Sequence, residues 1–368
     1  MQGHHYHDIK QIGQAELPSA DLSTSAPIFI CIISHSDTSS IPGITAAGAN
    51  PELVKYTPSA DAEYLYYGSC KCIDKIPITP EGIPSPALIS RAGLRLSRTP
   101  FLIIDAGSKI KPSIPFITFG LDPGQNIETG HAVDKASVDR AFEYGNILGK
   151  QLGNTFDLVV LGESIPGGTT TALGVLYALG VDARYKVSSS MQRNPHVLKN
   201  QVLQHAILNA GISFAELKDN PKEAISRLGD PMMPSIAGIS QGVISVGGNV
   251  LLSGGTQMAA ILAILRSLGV NMQHVFVGTT VYVAYDNSSD ILGLIRSISN
   301  EVTILAADLH MQESSIQGLT TFPEGFVKEG VGAGGISISA MLKSKGEIDG
   351  TSILRATEEE YQNALKQV

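Results

Sequence analysis

The sequence predicts an α/β protein built on a doubly wound, mostly parallel β-sheet. Short apolar runs have the length and β-branched composition of buried parallel strands, and they alternate with helical segments along the chain. Three of the predicted helices begin at glycine-rich turns. The 368 residues, of which 43% are apolar and 16% charged, are enough for one large domain or two ordinary ones with real cores.

Composition argues against several classes of protein. The formal net charge of -8, with no cluster of Lys or Arg, argues against a nucleic-acid-binding surface. No apolar run is long enough to span a membrane, and the start of the chain lacks the pattern of a signal peptide. Cys31, Cys70 and Cys72 have neither ordinary disulfide spacing nor metal-site spacing, so we expect reduced thiols in a cytoplasmic protein.

The predicted elements follow one another as strand and helix. The strands are expected, in chain order, at residues 28–33, 101–105, 158–161, 249–253, 274–277 and 303–307, with two less regular candidates at 114–119 and 281–284. The helices are expected at residues 133–152, 172–179, 196–209, 258–268 and 336–342, and in the tail from 351 onward. This alternation favours helices on both faces of a parallel sheet, a Rossmann-like architecture.

The first glycine-rich junction has the character of an anion site. An apolar strand leads into Gly167 and Gly168, and Thr169 and Thr170 open the next helix. Glycines let the backbone approach a ligand, and the unpaired N–H groups of a first helical turn favour negative charge. A phosphate would repel Glu163, so we expect this carboxylate to face a ribose hydroxyl or a cationic ring. A plain connection between strand and helix is the alternative.

A second junction of the same type strengthens the case for nucleotide binding. After the strand at 249–253, Gly254, Gly255, Thr256 and Gln257 open another apolar helix. Because parallel strands place their carboxyl ends on one edge of the sheet, we expect the two junctions to lie together. The first junction has neither the lysine of a nucleoside-triphosphate loop nor the G-x-G-x-x-G spacing of a dinucleotide site.

The third glycine-rich helix start contains a carboxylate, Glu329, followed by Gly330 and Gly332. A carboxylate in an apolar, glycine-lined pocket loses hydration, which raises its pKa and makes it a better base near neutral pH. The alternative is a solvated glutamate beside a flexible loop. Lys199, near the start of the helix at 196–209, is either a solvated side chain or a partner for a phosphate.

In this order, the three units resemble those of the nicotinate-nucleotide–dimethylbenzimidazole phosphoribosyltransferase family, which makes the lower-ligand nucleotide of cobalamin. The family pattern G-E-M-G-I-G-N-T-T-A is matched by G-E-S-I-P-G-G-T-T-T-A at 162–172, and G-G-x-E-I-A-A is matched by G-G-T-Q-M-A-A at 254–260. The segment G-E-G-T-G-A, with the family's catalytic glutamate, is matched by K-E-G-V-G-A at 328–333. Lys199 falls near the family's phosphate-contacting lysine. The resemblance covers residues 157–340.

The base-binding end of the family's site is matched less well than the phosphate end. The Asn of G-N-T-T is Gly168 here, an acidic D-G is replaced by V-G at 277–278, and H-R-S-A-E-P-G-H is reduced to H-M-Q-E-S-S-I-Q-G at 310–318. The base-binding segment L-D-K-P-P-G-S-L-G is absent. The chain is therefore identified as a divergent branch of the family whose acceptor base stays open.

The resemblance implies phosphoribosyl transfer from nicotinate mononucleotide to a benzimidazole or purine base, with Glu329 as the catalytic base. Its partners are then a nucleotide and an aromatic base. The residues expected to bind substrate are Glu163, Gly167, Gly168, Thr169, Thr170, Lys199, Gly254, Gly255, Thr256, Gln257, Gly330 and Gly332. Because positioning and one general base account for the chemistry, we expect neither a metal nor a cofactor.

The resemblance also suggests a homodimer and a smaller helical part built from both chain ends. We expect a large α/β nucleotide-binding domain at 95–345 and an accessory part at 1–94 plus 346–368. Two other functions stay open on the sequence. One is a non-catalytic, nucleotide-binding regulator that has lost the acceptor pocket. The other is a different α/β enzyme acting on a phosphorylated sugar or nucleotide, with Asp308 or His310 as its base.

Overall fold

The computed structural model describes residues 6–13, 26–48, 50–74 and 76–366. The described strands are β1 (Ile9–Ile12), β2 (Pro27–Ile33), β3 (Phe101–Asp105), β4 (Ile117–Thr118), β5 (Leu158–Ser164), β6 (Asn249–Ser253), β7 (Val275–Thr280) and β8 (Thr303–Ala307). They form one sheet in the order β1-β8-β7-β6-β5-β2-β3-β4. β1 runs antiparallel to β8, and every other neighbouring pair is parallel.

Helices connect these strands. They are α1 (Thr57–Tyr67), α2 (Ala87–Ser97), α3 (Lys135–Thr155), α4 (Gly168–Ala178), α5 (His196–Ala210), α6 (Pro221–Leu228), α7 (Met232–Ser245), α8 (Gln257–Ser267), α9 (Val281–Ala284), α10 (Ile291–Ile298), α11 (Gln317–Thr320), α12 (Ala333–Lys343) and α13 (Gly350–Leu365). In the part of the chain that the structure describes, none of the helices combines the length and apolar composition needed to cross a membrane.

The sheet is buried on both faces. Successive residues of a strand point to opposite sides, so β2 sends Ile28, Ile30 and Ile32 into one core and Phe29, Cys31 and Ile33 into the other. The first core is completed by apolar side chains of α3 to α8 and α10, and the second by those of α1, α2, α12 and α13. Burial on both faces is the reason why the strands read as continuous apolar runs.

The predicted strands at 101–105, 249–253 and 303–307 are confirmed with the same bounds. The candidate at 114–119 contributes only the two residues of β4. The suggestion that a strand continues at 281–284 is wrong. These residues form the single turn of α9, because β7 has already reached the carboxyl edge of the sheet at Thr280. A helix that the sequence did not predict, α7, lies in the stretch between 231 and 248, which is rich in glycine and other small residues.

The sheet takes two strands from the segment before residue 95. β2 lies in the middle of the sheet between β5 and β3, and β1 forms one edge. The sequence placed both in the accessory part. Near the two chain ends, α1, α2 and α13 do share one core on the same face of the sheet. The proposed division into a large domain and an accessory part stays a prediction, with β2 belonging to the sheet.

The strand order reverses between β2 and β5. From β2 the sheet grows through β3 to β4, and from β5 it grows through β6 and β7 to β8. In doubly wound sheets, ligands bind outside the carboxyl ends of the strands at such a reversal. The carboxyl ends here are Ile33 and Ser164, which are register partners. The fold therefore predicts a site at the end of β5, where the first glycine-rich turn begins.

Candidate active site

A cavity of about 690 Å³ opens at this edge of the sheet. A volume of this size is typical of small-molecule sites. One part of its lining, which we call the helix-start wall, consists of Gly167, Gly168, Thr169, Gly255 and Gln257. Another part, the N-terminal wall, consists of the lining residues between 44 and 86. The segment 327–331, which contains Glu329, lines the same cavity.

The first turn of α4 forms the centre of the helix-start wall. Gly167 precedes the helix with a φ of 77°, a left-handed conformation that favours glycine. At Gly168, a Cβ atom would lie 2.1 Å from Nε2 of Gln257. The absence of a side chain at this position is what allows Gln257 to approach the first turn of α4. Gly168 therefore leaves room for Gln257. Close approach of a ligand to these glycines stays a prediction.

Lys199 lies directly behind this turn. Its side chain is fully buried, and Nζ donates a hydrogen bond of 2.7 Å to Oγ1 of Thr169 and another to the carbonyl of Ser188. Both acceptors are neutral. Burial, assisted by the charge of Lys328, lowers the pKa of Lys199 to about 7. A buried amine with neutral partners is well suited to an anion bound at Thr169, because the anion would favour its charged form.

The start of α8 contributes a second donor to the helix-start wall. Gln257 is 8% exposed, and its Nε2 has no hydrogen-bond partner among the described residues. Its neighbour Thr256 has a different role. Oγ1 of Thr256 accepts a hydrogen bond of 2.9 Å from the N–H of Ser188, and so holds the loop that also binds Lys199. Gln257 is left as a buried donor without a partner at the edge of the cavity.

The backbone around Glu329 is strained. Val327 and Val331 have φ values of 47° and 53°, a left-handed conformation that β-branched residues rarely adopt. Such strain persists only where neighbouring contacts enforce it, and it is common at functional sites. Here Val331 donates its N–H to the carbonyl of Glu163 at 3.0 Å, and Oγ1 of Thr280 donates to the carbonyl of Lys328 at 2.6 Å. These contacts fix the segment between β5 and β7.

The Glu329 carboxylate rests on the amino end of α12. It accepts a hydrogen bond of 3.1 Å from the N–H of Gly334 and one of 3.2 Å from that of Gly330. Its side chain is only partly exposed. Burial raises the pKa of Glu329 to about 7, against the lowering effect of these hydrogen bonds. A carboxylate in this range can accept a proton at neutral pH.

Glu163 is more deeply buried, at the end of β5. Its Oε2 accepts a hydrogen bond of 2.8 Å from the N–H of Ile165. Burial raises the pKa of Glu163 to about 8, and the charges of Asp230, Glu329 and Asp61 act in the same direction. Glu163 is therefore largely protonated at pH 7 and can donate as well as accept hydrogen bonds.

Comparison with known proteins places the chain in a family. Residues 95–281 match a family model described as phosphoribosyltransferase. The chain belongs to this phosphoribosyltransferase family. The similarity to individual relatives extends beyond residues 95–281. A UPF0284 protein of Methanopyrus kandleri is 42% identical over 92% of this chain and 89% of the relative. A UPF0284 protein of Sulfolobus acidocaldarius is 46% identical over 86% of this chain and 89% of the relative.

The fold of this phosphoribosyltransferase family member is also similar to that of solved structures. The nicotinate-nucleotide-dimethylbenzimidazole phosphoribosyltransferase of Thermus thermophilus superposes with a TM-score of 0.59 at 14% identity, covering 88% of this chain and 82% of that chain. A second structure, titled CobT and from the same organism, gives the same TM-score with 84% of its chain covered. The predicted α/β class and the predicted resemblance are both confirmed.

The structure brings most of the predicted site residues of this phosphoribosyltransferase to one cavity. The predicted residues that line it are Glu163, Gly167, Gly168, Thr169, Gly255, Gln257, Glu329 and Gly330. Lys199 does not appear in the lining, but it donates a hydrogen bond to Thr169, which does. Thr170, Gly254, Thr256 and Gly332 do not appear in its lining. Thr170 is nevertheless notable, since its buried Oγ1 has no hydrogen-bond partner among the described residues.

The alternative bases, Asp308 and His310, lie elsewhere. Neither lines the cavity, and Nε2 of His310 contacts Oδ1 of Asp8 at 3.1 Å. This arrangement joins the end of β8 to the start of the chain. The geometry gives no support to an enzyme that uses these two residues as its base.

Two buried charged residues of the cavity were not predicted. Lys328 lines it and pairs with Asp286, with 2.7 Å between Nζ and Oδ2. Asp61, on α1, lines it with a side chain that is 2% exposed, and burial raises its pKa to about 6. Lys328 could have been predicted, because it is adjacent in the sequence to the predicted residue Glu329. Asp61 offered no such signal, because the four tyrosines between 56 and 67 indicate stacking, an interface or ordinary packing.

Proposed function

We propose that the protein transfers the phosphoribosyl group of nicotinate mononucleotide to a ring nitrogen of a benzimidazole or purine base. The product would be an α-ribazole-phosphate-type nucleotide for cobamide lower-ligand synthesis. The observation that carries this proposal is the shared cavity. In it the start of α4, backed by Lys199, and a half-buried carboxylate, Glu329, line one space of about 690 Å³.

The phosphate of the donor would bind at the helix-start wall. The first turn of α4 and the hydroxyl of Thr169 supply donors, and Lys199 supplies the positive charge. The free Nε2 of Gln257 is placed where a side chain at residue 168 would stand. The family pattern has Asn at that position, so the Gln257 amide substitutes for it in this chain. Thr170, Gly254, Thr256, Gly330 and Gly332 would shape the turns around the donor.

The ribose would lie between this wall and Glu329. Glu163 is the polar side chain at the end of β5, and in its neutral form it can donate to or accept from a ribose hydroxyl. A neutral Glu163 also removes the repulsion that a second carboxylate would exert on the phosphate. The pyridinium ring, the other partner expected for Glu163, would be attracted by an ionised carboxylate, so the neutral form of Glu163 favours the ribose hydroxyl.

The transfer is a displacement at C1 of the ribose. One ring nitrogen of the base supplies its electron pair to C1 from the face opposite nicotinate, and the bond between C1 and the pyridinium nitrogen breaks. Nicotinate leaves with that electron pair as a neutral pyridine ring. Glu329 accepts the proton that the azole must lose. Positioning and general-base help account for the rate, the latter by about two to four powers of ten.

A homodimer and a cytoplasmic location belong to the same proposal. Cys31, Cys70 and Cys72 are all free thiols in the structure. Reduced cysteines are in keeping with a cytoplasmic enzyme. The homodimer has its support in the family resemblance, and sedimentation or light scattering of the purified protein would test it.

The test is an assay of the purified protein with nicotinate mononucleotide and a panel of bases. Release of nicotinate with formation of a new nucleotide, followed by chromatography, is the expected result. Calorimetric titration with nicotinate mononucleotide alone measures donor binding separately. Binding of the donor without release in the presence of any base would contradict the transferase, and no binding would contradict the whole site assignment.

A further inference from the structure

The N-terminal wall differs in character from the helix-start wall. Apolar residues form more than half of it, with Leu53, Ile76, Ile78 and Pro86 among them. Its other charged residues are Glu52, Lys55 and Asp74, all at least partly exposed. Within the described residues of this wall, Asp61 is the one charged side chain that is buried. The wall therefore combines an apolar surface with a single buried carboxyl group.

Asp61 is held by two hydroxyl groups. Oγ of Ser164 donates to Oδ2 at 2.6 Å, and Oγ of Ser85 donates to Oδ1 at 2.7 Å. Ser164 is the last residue of β5, and Ser85 precedes α2. Both hydroxyls can rotate. A carboxylate has about four acceptor positions, so about two remain unfilled.

Another acidic residue of α1 shows what a structural carboxylate looks like in this chain. Glu63 accepts three backbone N–H groups, from Lys71, Cys72 and Ser113, at 2.6, 2.8 and 2.7 Å. It does not appear in the lining of the cavity. Glu63 stabilises loops, because its hydrogen-bond donors are backbone N–H groups whose orientation is fixed by the chain. Asp61, two residues earlier on the same helix, has no backbone donor among the described residues and lines the cavity.

We propose that the N-terminal wall is the acceptor subsite and that Asp61 selects acceptors with a hydrogen-bond donor on the six-membered ring. The acceptor class is an azole-fused ring with a hydroxyl or amino substituent, as opposed to one with only methyl groups. This inference rests on the proposed function, because it assigns the base to the part of the cavity that the phosphate and ribose leave free.

The physical reason is the cost of an unsatisfied buried carboxylate. Once a base fills the wall, water is excluded from Asp61. A methyl group there would leave the free acceptor positions without a partner, whereas a hydroxyl or amino group would fill one of them. Sites built to hydrogen-bond a substrate discriminate strongly against analogues that lack the polar group.

The test compares four acceptors: benzimidazole, 5,6-dimethylbenzimidazole, 5-hydroxybenzimidazole and adenine. With nicotinate mononucleotide saturating, we expect kcat/KM for the hydroxylated base to exceed that for the dimethylated base by about 10- to 100-fold, the range expected for a hydrogen bond to a charged group. Adenine separates an amino donor from a hydroxyl donor. Asp61→Ala should reduce this preference to about twofold or less, and Asp61→Asn should reduce it in part.

Glu63→Gln is the matched control. It removes a charge from the same helix and loosens the loops, but we expect the ratio between acceptors to stay at the wild-type value. A merely structural role of Asp61 would lower the rates with all four acceptors equally. That result, or a wild-type preference for the dimethylated base, would overturn the inference.

Calorimetric binding of the four bases, in the presence of nicotinate mononucleotide, gives a readout that does not need turnover. If no base releases nicotinate, the proposed function fails. The inference is then supported if the hydroxylated base still binds about tenfold or more tightly and Asp61→Ala removes the difference. Equal binding of all bases, or none, would refute it independently of catalysis.

Discussion

Nζ of Lys199 donates a hydrogen bond of 2.7 Å to Oγ1 of Thr169, and so links α5 to the first turn of α4. The lysine is fully buried, with neutral acceptors on both sides. In the free protein this charge is unfavourable, since burial opposes it. A bound phosphate would supply the missing negative partner. The pair therefore connects the stability of the fold to occupancy of the helix-start wall.

Lys199→Met should weaken binding of nicotinate mononucleotide by about 10- to 100-fold, the range expected for loss of a hydrogen bond to a charged group. The melting temperature of the free protein should stay level or rise, because methionine fills the volume without a buried charge. Calorimetry and thermal unfolding measure the two effects. Unchanged donor affinity would show that Lys199 serves only the fold.

Glu329→Gln should leave donor binding near the wild-type value and lower kcat by about two to four powers of ten, the usual contribution of a general base. The amide keeps the size of the side chain but cannot accept the proton. Single-turnover measurement of nicotinate release tests this. Glu301→Gln, at an exposed position before β8, is the control for loss of one negative charge. Wild-type turnover in Glu329→Gln would exclude it as the base.

The pH dependence should differ between kcat/KM and kcat. In the free enzyme, Glu329 gains its base form as pH rises through about 7, while Lys199 loses its charge in the same range. We therefore expect kcat/KM to be bell-shaped with its maximum near pH 7. The acidic limb reports Glu329 as it interacts with Glu163 and Asp61, and loss of the Glu163 proton near pH 8 adds to the alkaline limb.

A bound phosphate raises the pKa of Lys199, so kcat at saturating donor should keep the acidic limb and lose the alkaline one up to higher pH. In Lys199→Met the alkaline limb of kcat/KM should move up to the range near pH 8 in which Glu163 loses its proton. Rate profiles from about pH 5 to 9 measure both curves. The ordinary pKa values of glutamate and lysine lie outside this range, so a limb within it reports a shifted group. An alkaline limb that persists unchanged in Lys199→Met would assign it to a different group.

Lys328→Met should lower kcat more than it changes the KM for the donor. Lys328 and Asp286 are 2% and 11% exposed, and their ion pair holds the residue next to Glu329 in a strained segment. Removing one partner of such a buried pair costs about 3 kcal/mol. Without this anchor the segment can relax, and the carboxylate of Glu329 moves away from its position on α12.

A double-mutant cycle with Asp286→Asn measures the interaction energy between Lys328 and Asp286 separately from their contacts with other residues. The double variant should be less destabilised than the sum of the two single variants, because it leaves no lone charge behind. Chemical unfolding gives the stabilities, and steady-state kinetics gives kcat and KM. Strict additivity in stability would mean that the ion pair does not hold the segment.

Gly168→Ala should weaken donor binding by about tenfold while leaving the fold intact, because one hydrogen bond to the ligand is lost. Its Cβ would lie 2.1 Å from Nε2 of Gln257 and 2.9 Å from Cγ2 of Ile165. Both are side-chain atoms, and the flexible end of Gln257 can move away. Gly174→Ala in the same helix is the contrast. There the Cβ would lie 2.9 Å from the carbonyl oxygen of Leu228, so stability should fall instead. Thermal unfolding and donor titration of both variants check this reversal.

The glycine-rich helix starts could be predicted from the sequence, but the residues of other segments that pack beside them could not. Gly167, Gly168 and Glu329 were recognised because glycine turns and an isolated carboxylate leave local signals. The same signals predicted Gly254 and Gly332, which do not appear in the lining of the cavity, and their part in substrate binding stays a prediction. Asp61 was missed because no local pattern links α1 to the end of β5. The hydrogen bond of 2.6 Å to Ser164 spans 103 positions in the chain.

The sequence by itself determined the α/β class, the main parallel strands and the three glycine-rich helix starts. These follow from local periodicity and from the conformational freedom of glycine. Only the tertiary structure decided that β2 lies beside β5, which creates the reversal in strand order and the cavity. It also decided which charges are buried there, since desolvation of Lys199, Glu163 and Asp61 depends on every element packed around them. Strand order and burial are properties of the whole fold, so no single segment encodes them.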